Sequence, residues 1–187
     1  MDAIASTIRA ARVDDAASIA QVRIDAWRST YRGMIPDAYL DNMSIPDSAA
    51  TWQRILNTHS NRTSVFIAED ASGVLGFASG NLRDPPQLGF DAELSALYIR
   101  PDRQRAGIGR RLVSVIAAAR RAQGATGLIA WIIAGNRAAR AFHEALGAEL
   151  LLEQPFQWDG LDLVEAAYGF RDLDALAAAG GANPALH

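Results

Sequence analysis

The sequence of 187 residues contains no cysteine and no lysine. Without a thiol, the chain cannot form a disulfide, bind a metal through thiolates or carry an acyl group on its own cysteine. All 18 basic side chains are therefore arginines, against 21 acidic side chains, and the formal net charge is −3. Because a nucleic-acid-binding domain is usually strongly basic, this balance argues against a nucleic acid as partner.

Long apolar runs are missing as well. No apolar segment approaches the roughly 18 residues of a membrane span, and residues 1–10 lack the basic start and apolar stretch of a signal peptide. We therefore expect a cytoplasmic protein with no membrane partner. Half of the residues are hydrophobic and 21% are charged, a balance typical of a globular domain, and the length fits one domain.

The first half of the chain predicts two helices and a strand pair. Asp14 or Asp15 can cap a first helix, and a second helix can begin at Pro36, because proline suits a first helical turn. An antiparallel strand pair follows across residues 71–73. Residues 83–86 are predicted as a loop, since consecutive prolines cannot serve a central sheet ladder.

The second half alternates strands and helices. The predicted elements are a strand at 93–99, a helix from 108 to about 124, a strand at 128–133, a helix at 136–146 and a strand pair across 158–160. This order predicts an α/β or α+β fold, with a mixed sheet covered by helices. We assign residues 1–172 to a single domain and residues 173–187 to a frayed C-terminal tail.

A glycine-rich turn joins the strand at 93–99 to the following helix. Gly107 and Gly109 let the backbone approach a ligand closely, and the free N–H groups and dipole of a helix N-terminus attract phosphate. Flanking arginines add charge-assisted hydrogen bonds. No Gly-Lys-Ser/Thr follows to make a P-loop, and Leu112 replaces the third glycine of a dinucleotide fingerprint. A tight turn with solvated arginines is the alternative.

These segments resemble the GCN5-related N-acetyltransferase (GNAT) superfamily. Gln104, Gly107 and Gly109 meet its Gln/Arg-x-x-Gly-x-Gly/Ala signature, residues 93–101 are similar to its preceding strand, and residues 136–147 are similar to its later Asn-x-x-Ala-x-x-Phe-Tyr-Glu-x-x-Gly helix. The resemblance implies a mostly antiparallel sheet splayed between its fourth and fifth strands. It also implies transfer of an acetyl group from acetyl-CoA to a primary amine, without a metal.

The resemblance assigns a coenzyme site and the rim of an acceptor site. The coenzyme residues it implies are Leu97, Tyr98, Ile99, Gln104, Arg105, Ala106, Gly107, Ile108, Gly109, Arg110, Asn136 and Phe142. The strand backbone would hold the pantetheine arm and the turn would hold the pyrophosphate. Phe142 equally fits a core position. Trp27 and Tyr31 lie where the family forms the acceptor rim, although their helical spacing also suits packing.

Two residues are candidates for acid and base. An attacking amine must be unprotonated, and a lysine-like amine has a pKa of about 10.4, so a base is useful. Glu93 stands where several family members place a glutamate base; a solvated carboxylate is the alternative. His143 stands where the family supplies a tyrosine acid, and histidine can do acid work. It can equally be a surface residue, with Tyr98 and Tyr168 as substitutes.

The acceptor is expected to be a small-molecule or peptide amine. Direct attack in a ternary complex follows the family pattern and the absence of cysteine. Acidic residues near the expected pocket favour a cationic amine; they are Asp84, Asp91, Glu93 and Asp159. Homodimers are frequent in the family. Two alternatives stay open, a non-catalytic acyl-CoA-binding regulatory module and a nucleotide-binding protein using the same turn. The net charge disfavours a third, an RNA-directed toxin acetyltransferase.

Overall fold

The computed structural model describes residues 6–58 and 60–181. The strands are β1 (Thr7–Ala10), β2 (Thr63–Asp70), β3 (Gly73–Gln87), β4 (Phe90–Ile99), β5 (Leu128–Ile133), β6 (Glu149–Trp158) and β7 (Leu161–Phe170). The helices are α1 (Ala16–Thr30), α2 (Asp37–Asp41), α3 (Ile45–Asn57), α4 (Ile108–Ala122), α5 (Arg137–Ala145) and α6 (Leu173–Ala178). Of the helices described, none is long and apolar enough to cross a membrane.

The strands form one mixed sheet in the order β1-β2-β3-β4-β5-β7-β6. Neighbouring strands run antiparallel except β4 and β5, which are parallel. These two strands pair from Ala92 opposite Leu128 to Leu94 opposite Ala130 and then diverge. The predicted mixed sheet, mostly antiparallel and splayed between its fourth and fifth strands, is confirmed.

A β-bulge in β4 lies where the two strands part. Ser79 of β3 pairs with Ala96 and Gly80 pairs with Leu94, so Ser95 is the extra residue. A bulge bends its strand and strengthens the local twist. Its position directly after the last β4–β5 pair therefore helps to turn β4 away from β5.

Helices cover both faces of the N-terminal half of the sheet. On one face, α4 lies so close to β3 that a Cβ at Gly80 would come within 2.6 Å of the Ile116 side chain. On the other face, Ile19 of α1 and Trp52 of α3 pack against Phe77, with the Trp52 and Phe77 ring centroids 5.0 Å apart. The sheet thus forms the middle layer of the core.

The loop predicted in the first half of the chain needs correction. Residues 83–86, predicted as a loop, belong to β3. The pairing with β4 jumps from Leu82 to Gln87, so the prolines lie in an irregularity outside the ladder, where no N–H donor is required. The helix predicted to begin at Pro36 is α2, whose N-cap is Pro36. A further helix, α3, follows, and Ser44 caps it by accepting a hydrogen bond from the Asp47 N–H at 3.2 Å.

The C-terminal tail is predicted to be frayed, and this prediction is wrong for Leu173–Ala178, which form the helix α6. Asp172 caps this helix by accepting a hydrogen bond from the Ala175 N–H at 2.9 Å. Leu173 and Leu176 are 4% and 2% exposed and belong to the core cluster that α4 contributes to. Two leucines at helical spacing in an alanine-rich stretch were the signal of a packed helix. Residues 182–187 lie outside the described part.

Candidate active site

The divergence of β4 and β5 opens a cavity of about 680 Å³. Residues 94–99 of β4 and 130–132 of β5 form two of its walls. The end of α1, the turn before α4 and the start of α5 complete the lining. One edge of β4 faces this gap instead of a neighbouring strand, which leaves backbone hydrogen-bonding groups available to a ligand.

The turn before α4 presents N–H groups to the cavity. Gly107 caps the helix with φ of +78°, and Arg105 also has a positive φ of 63°. The first helical bond runs from the Arg111 N–H to the Gly107 carbonyl at 3.2 Å. The N–H groups of Ile108, Gly109 and Arg110 precede it and have no helical acceptor. Free N–H groups together with the dipole at a helix N-terminus favour the binding of an anion.

Most of the predicted coenzyme residues lie on the cavity wall. Those that do are Leu97, Tyr98, Ile99, Gln104, Arg105, Gly107, Ile108, Gly109, Arg110, Asn136 and Phe142, whereas Ala106 does not. Arg103 also lines the wall. Phe142 both lines the cavity and packs against the core, and a Cβ at Gly109 would lie 3.3 Å from its ring. Glycine at this position lets α5 approach the turn.

Glu93 lies beside the point where the strands part, but it does not line the cavity itself. It pairs with Ile129, one residue before the last β4–β5 pair. Its side chain is 18% exposed, with Oε2 2.9 Å from Arg83 Nη1. Burial raises the pKa of Glu93, the Arg83 charge acts against this shift, and the carboxylate of Glu165 adds to it. The result is a carboxylate of increased basicity.

Asp91, expected near the acceptor pocket, has a structural role. Its carboxylate accepts hydrogen bonds from the N–H groups of Thr126 and Gly127 at 2.9 and 3.0 Å. These bonds hold the segment that leads into β5. Asp91 is therefore committed to the fold, and it is not available to attract a cationic acceptor.

His143 lines the cavity from α5 but is only 5% exposed. Its ring lies against Phe142, Tyr168 and Phe170, with centroid distances of 5.3, 6.3 and 5.8 Å. Nδ1 is buried without a hydrogen-bond partner among the described residues. Burial lowers the pKa of His143 to about 4. Near neutral pH the ring is uncharged and lacks the imidazolium proton that a histidine acid would donate.

The two substitute tyrosines differ in availability. The Tyr168 hydroxyl donates to Glu144 Oε1 at 2.7 Å and accepts from Arg140 Nε at 3.0 Å, so both its hydrogen and a lone pair are engaged. Tyr98 lines the cavity, and its ring packs on Phe77 with centroids 5.6 Å apart. Tyr98 therefore borders the cavity, whereas Tyr168 is part of a structural network.

Trp27 and Tyr31, the two aromatic residues of the predicted acceptor rim, have different roles. Tyr31 lines the cavity, whereas Trp27 does not. Trp27 is 5% exposed and packs edge-on against Tyr31, with centroids 4.9 Å apart. The ring centroid of Trp158, at the end of β6, lies 6.1 Å from that of Trp27. Trp27 thus packs against Tyr31 without lining the cavity itself.

Trp131 is a cavity residue that the sequence analysis did not single out. It lies on β5, and its indole Nε1 donates to Gln87 Oε1 at 3.2 Å. The sequence predicts a strand at 128–133 and gives no separate role to Trp131. A residue with a polar N–H in an otherwise aliphatic strand was the available signal.

Both the sequence and the fold of this chain are similar to those of known proteins. The model of the Acetyltransferase (GNAT) family matches residues 23–148. The N-acetyltransferase YuaI of Bacillus subtilis, itself uncharacterized, is 34% identical over 171 residues, which cover 91% of this chain and 95% of that protein. The chain belongs to the GNAT family of acetyltransferases.

Two further similarities are informative. An L-methionine sulfoximine/L-methionine sulfone acetyltransferase of Pseudomonas aeruginosa is 36% identical over 94 residues, or 49% of this chain and 54% of that protein. The structure of YncA from Salmonella typhimurium with its cofactor acetyl-CoA has a TM-score of 0.66 at 23% identity. The match covers 98% of this chain and 99% of YncA and shows a shared fold.

Proposed function

We propose that this protein transfers the acetyl group of acetyl-CoA to a primary amine by direct attack in a ternary complex. The observation that carries the proposal is the continuity of the cavity, which runs from the anion-binding turn into the gap between β4 and β5. A long thioester with a phosphate-bearing end matches this shape and charge. Family membership and the acetyl-CoA held by the similarly folded YncA support the choice of coenzyme.

The residues on the wall divide into two binding regions. The N–H groups of Ile108, Gly109 and Arg110 would hold the pyrophosphate, and the side chains of Arg103 and Arg105 would add charge. The free edge of β4 would pair with the amides of the pantetheine arm, as a neighbouring strand would. The thioester would then lie in the gap, close to the bulge at Ser95.

Glu93 is the proposed general base. The neutral amine attacks the carbonyl carbon, the C–N bond forms, and the C–S bond of the thioester breaks as the intermediate collapses. The surplus proton on nitrogen passes to Glu93, directly or through one water. A carboxylate with a raised pKa is better matched to this work near neutral pH than an ordinary one.

An α-amino acid is the first acceptor class to test. The Pseudomonas aeruginosa relative acetylates L-methionine sulfoximine and L-methionine sulfone, as its name states. In this chain the Arg83 guanidinium lies beside Glu93. Arg83 would bind the carboxylate of an amino acid, and Glu93 would accept the proton from its amine. The panel should also contain polyamines, aminoglycosides and peptides with free N-termini.

The test measures amine-dependent release of the coenzyme A thiol by the purified protein. Glu93→Gln should lower kcat/KM about 100-fold and abolish the acid limb of the pH profile, where protonation of Glu93 removes the base. In the wild type, that limb should lie above the ordinary carboxyl range. Glu165→Gln is the matched control. It should move the limb to lower pH and leave the plateau rate nearly unchanged, because it removes only a neighbouring charge.

The competing functions give different results in the same assays. Binding of coenzyme A without turnover on any amine would indicate a non-catalytic acyl-CoA-binding module. Binding of ATP or NAD in place of coenzyme A would indicate a nucleotide-binding protein. Full activity of Glu93→Gln would exclude Glu93 as an essential base while leaving the acetyl transfer itself intact.

A further inference from the structure

The orientation of the Asn136 amide can be read from its role as a helix cap. Its Oδ1 accepts a hydrogen bond from the Ala139 N–H at 3.1 Å, as an N-cap side chain does. The opposite end of the amide is therefore the NH₂ group. This group donates to the Tyr31 hydroxyl oxygen at 3.3 Å. Tyr31 is thus the acceptor in this pair.

A phenol that accepts a hydrogen bond keeps its own O–H for another partner. Across residues 6–58 and 60–181, no group accepts a hydrogen bond from the Tyr31 O–H, although the side chain is only 8% exposed. The same side chain lines the cavity. The free O–H of Tyr31 is therefore available to a ligand in the gap.

Tyr31 is held firmly at this place. The Trp27 ring packs edge-on against it, and the Tyr31 carbonyl accepts hydrogen bonds from the N–H groups of Met34 and Ile35, both at 2.9 Å. Asn136, which anchors the hydroxyl, lies just beyond β5, with its N–H bonded to the Ile133 carbonyl at 2.8 Å. Because both the backbone and the hydroxyl of Tyr31 are held by hydrogen bonds, the hydroxyl is preorganised to act on one position in the gap.

The other candidate acids meet these conditions less well. His143 is neutral near pH 7, and the Tyr168 hydroxyl already donates to Glu144. Tyr98 lines the cavity, but within the described structure no hydrogen bond orients its hydroxyl. Burial raises the pKa of Tyr31 to about 12, an effect to which Tyr98 adds and which the Asn136 hydrogen bond opposes. Tyr31 therefore keeps its proton until a strong acceptor forms beside it.

We propose that Tyr31 is the general acid of the reaction and protonates the departing sulfur of coenzyme A. This rests on the proposed acetyl transfer. As the C–S bond breaks, its electron pair stays on sulfur, and the Tyr31 O–H proton moves to it, giving the free thiol and a tyrosinate. The amine proton passes to Glu93. Solvent then carries one proton from Glu93 to Tyr31, which restores both groups.

The first test compares Tyr31→Phe with Tyr39→Phe, which removes the same atom from a phenol that does not line the cavity. In single-turnover experiments, Tyr31→Phe should lower the rate of acetyl transfer about 100-fold or more. The Kd for coenzyme A should stay within about twofold, and the rate of Tyr39→Phe should remain within about threefold of the wild-type rate. An unchanged rate for Tyr31→Phe, or an equal loss for Tyr39→Phe, would overturn the proposal.

The second test needs no acceptor amine and so separates this proposal from the proposed function. The ultraviolet absorbance of the thiolate reports the pKa of the bound coenzyme A thiol, as a difference against the coenzyme-free protein. A hydrogen bond from Tyr31 stabilises the thiolate, so Tyr31→Phe should raise that pKa by about one to two units. Tyr39→Phe should leave this pKa unchanged. An equal pKa in wild type and Tyr31→Phe would place the hydroxyl away from the sulfur.

Discussion

His143 lies among aromatic rings on α5, and burial lowers its pKa to about 4. In the unfolded chain the pKa of histidine is about 6.5. Between these two pKa values the histidine is protonated in the unfolded state and neutral in the folded state. The stability contributed by the neutral ring is therefore fully present above pH 6.5 and is lost as the pH falls towards 4.

Replacing this ring should flatten the acid side of the stability profile. Between pH 7.5 and 4.5, the wild type should lose about 2 to 3 kcal/mol more free energy of unfolding than His143→Phe. Urea unfolding of both proteins at the two pH values measures the difference, and any constant offset from repacking cancels. Equal losses in the two proteins would show that His143 is protonated in the folded state.

At the level of single residues, sequence reasoning located side chains better than it assigned their environments. It singled out His143 from its place after Phe142, yet helix periodicity alone did not reveal that this ring is 5% exposed. The contact of Tyr31 with Asn136 joins residues 105 positions apart. Such a pair exists only after the sheet and α1 have assembled, so no local pattern could predict it.

Among the elements, α4 offers a matched pair of glycines at its two ends. Gly107 and Gly124 have φ of +78° and +89°, and a Cβ at either position would meet no atom within 4 Å. Backbone strain is thus the common cost of adding a side chain. The difference between the two positions is that only Gly107 lies on the cavity wall.

Alanine at these two positions should separate stability from binding. Gly107→Ala and Gly124→Ala should each lower the free energy of unfolding by about 1 kcal/mol, because L residues are strained at positive φ. Calorimetry should show weaker coenzyme A binding only for Gly107→Ala, whose turn positions the free N–H groups. Equal affinities for both variants would argue against that turn as the pyrophosphate site.

The predictability of the elements followed the strength of their periodic signals. The strand β5 coincides with its apolar run, residues 128–133, because a strand buried on both faces has a distinctive composition. The prolines of β3 led to the wrong prediction of a loop, since a sequence does not show where a ladder is interrupted. For α6, the alanine content hid two leucines whose burial depends on contact with α4.

For the molecule as a whole, a ligand in the gap should stabilise both halves of the sheet. At a concentration 100 times its Kd, coenzyme A should add about 2.7 kcal/mol to the free energy of unfolding, provided that the unfolded chain does not bind it. Thermal unfolding with increasing coenzyme A measures this effect, with NAD as the control. A stabilisation by NAD alone would support a nucleotide-binding protein instead.

The contact between Asn136 and Tyr31 closes a loop of connections around the gap. The strands β4 and β5 are joined at one end by the pairs from Ala92 to Leu94. Beyond these pairs, α1 packs against β4. Tyr31, directly after α1, contacts the β5 side of the gap through its hydrogen bond with Asn136 and through apolar contacts. The gap is thus bounded at one end by the β4–β5 pairs and at the other by the contact between Tyr31 and Asn136, and loss of this contact would leave the second end open.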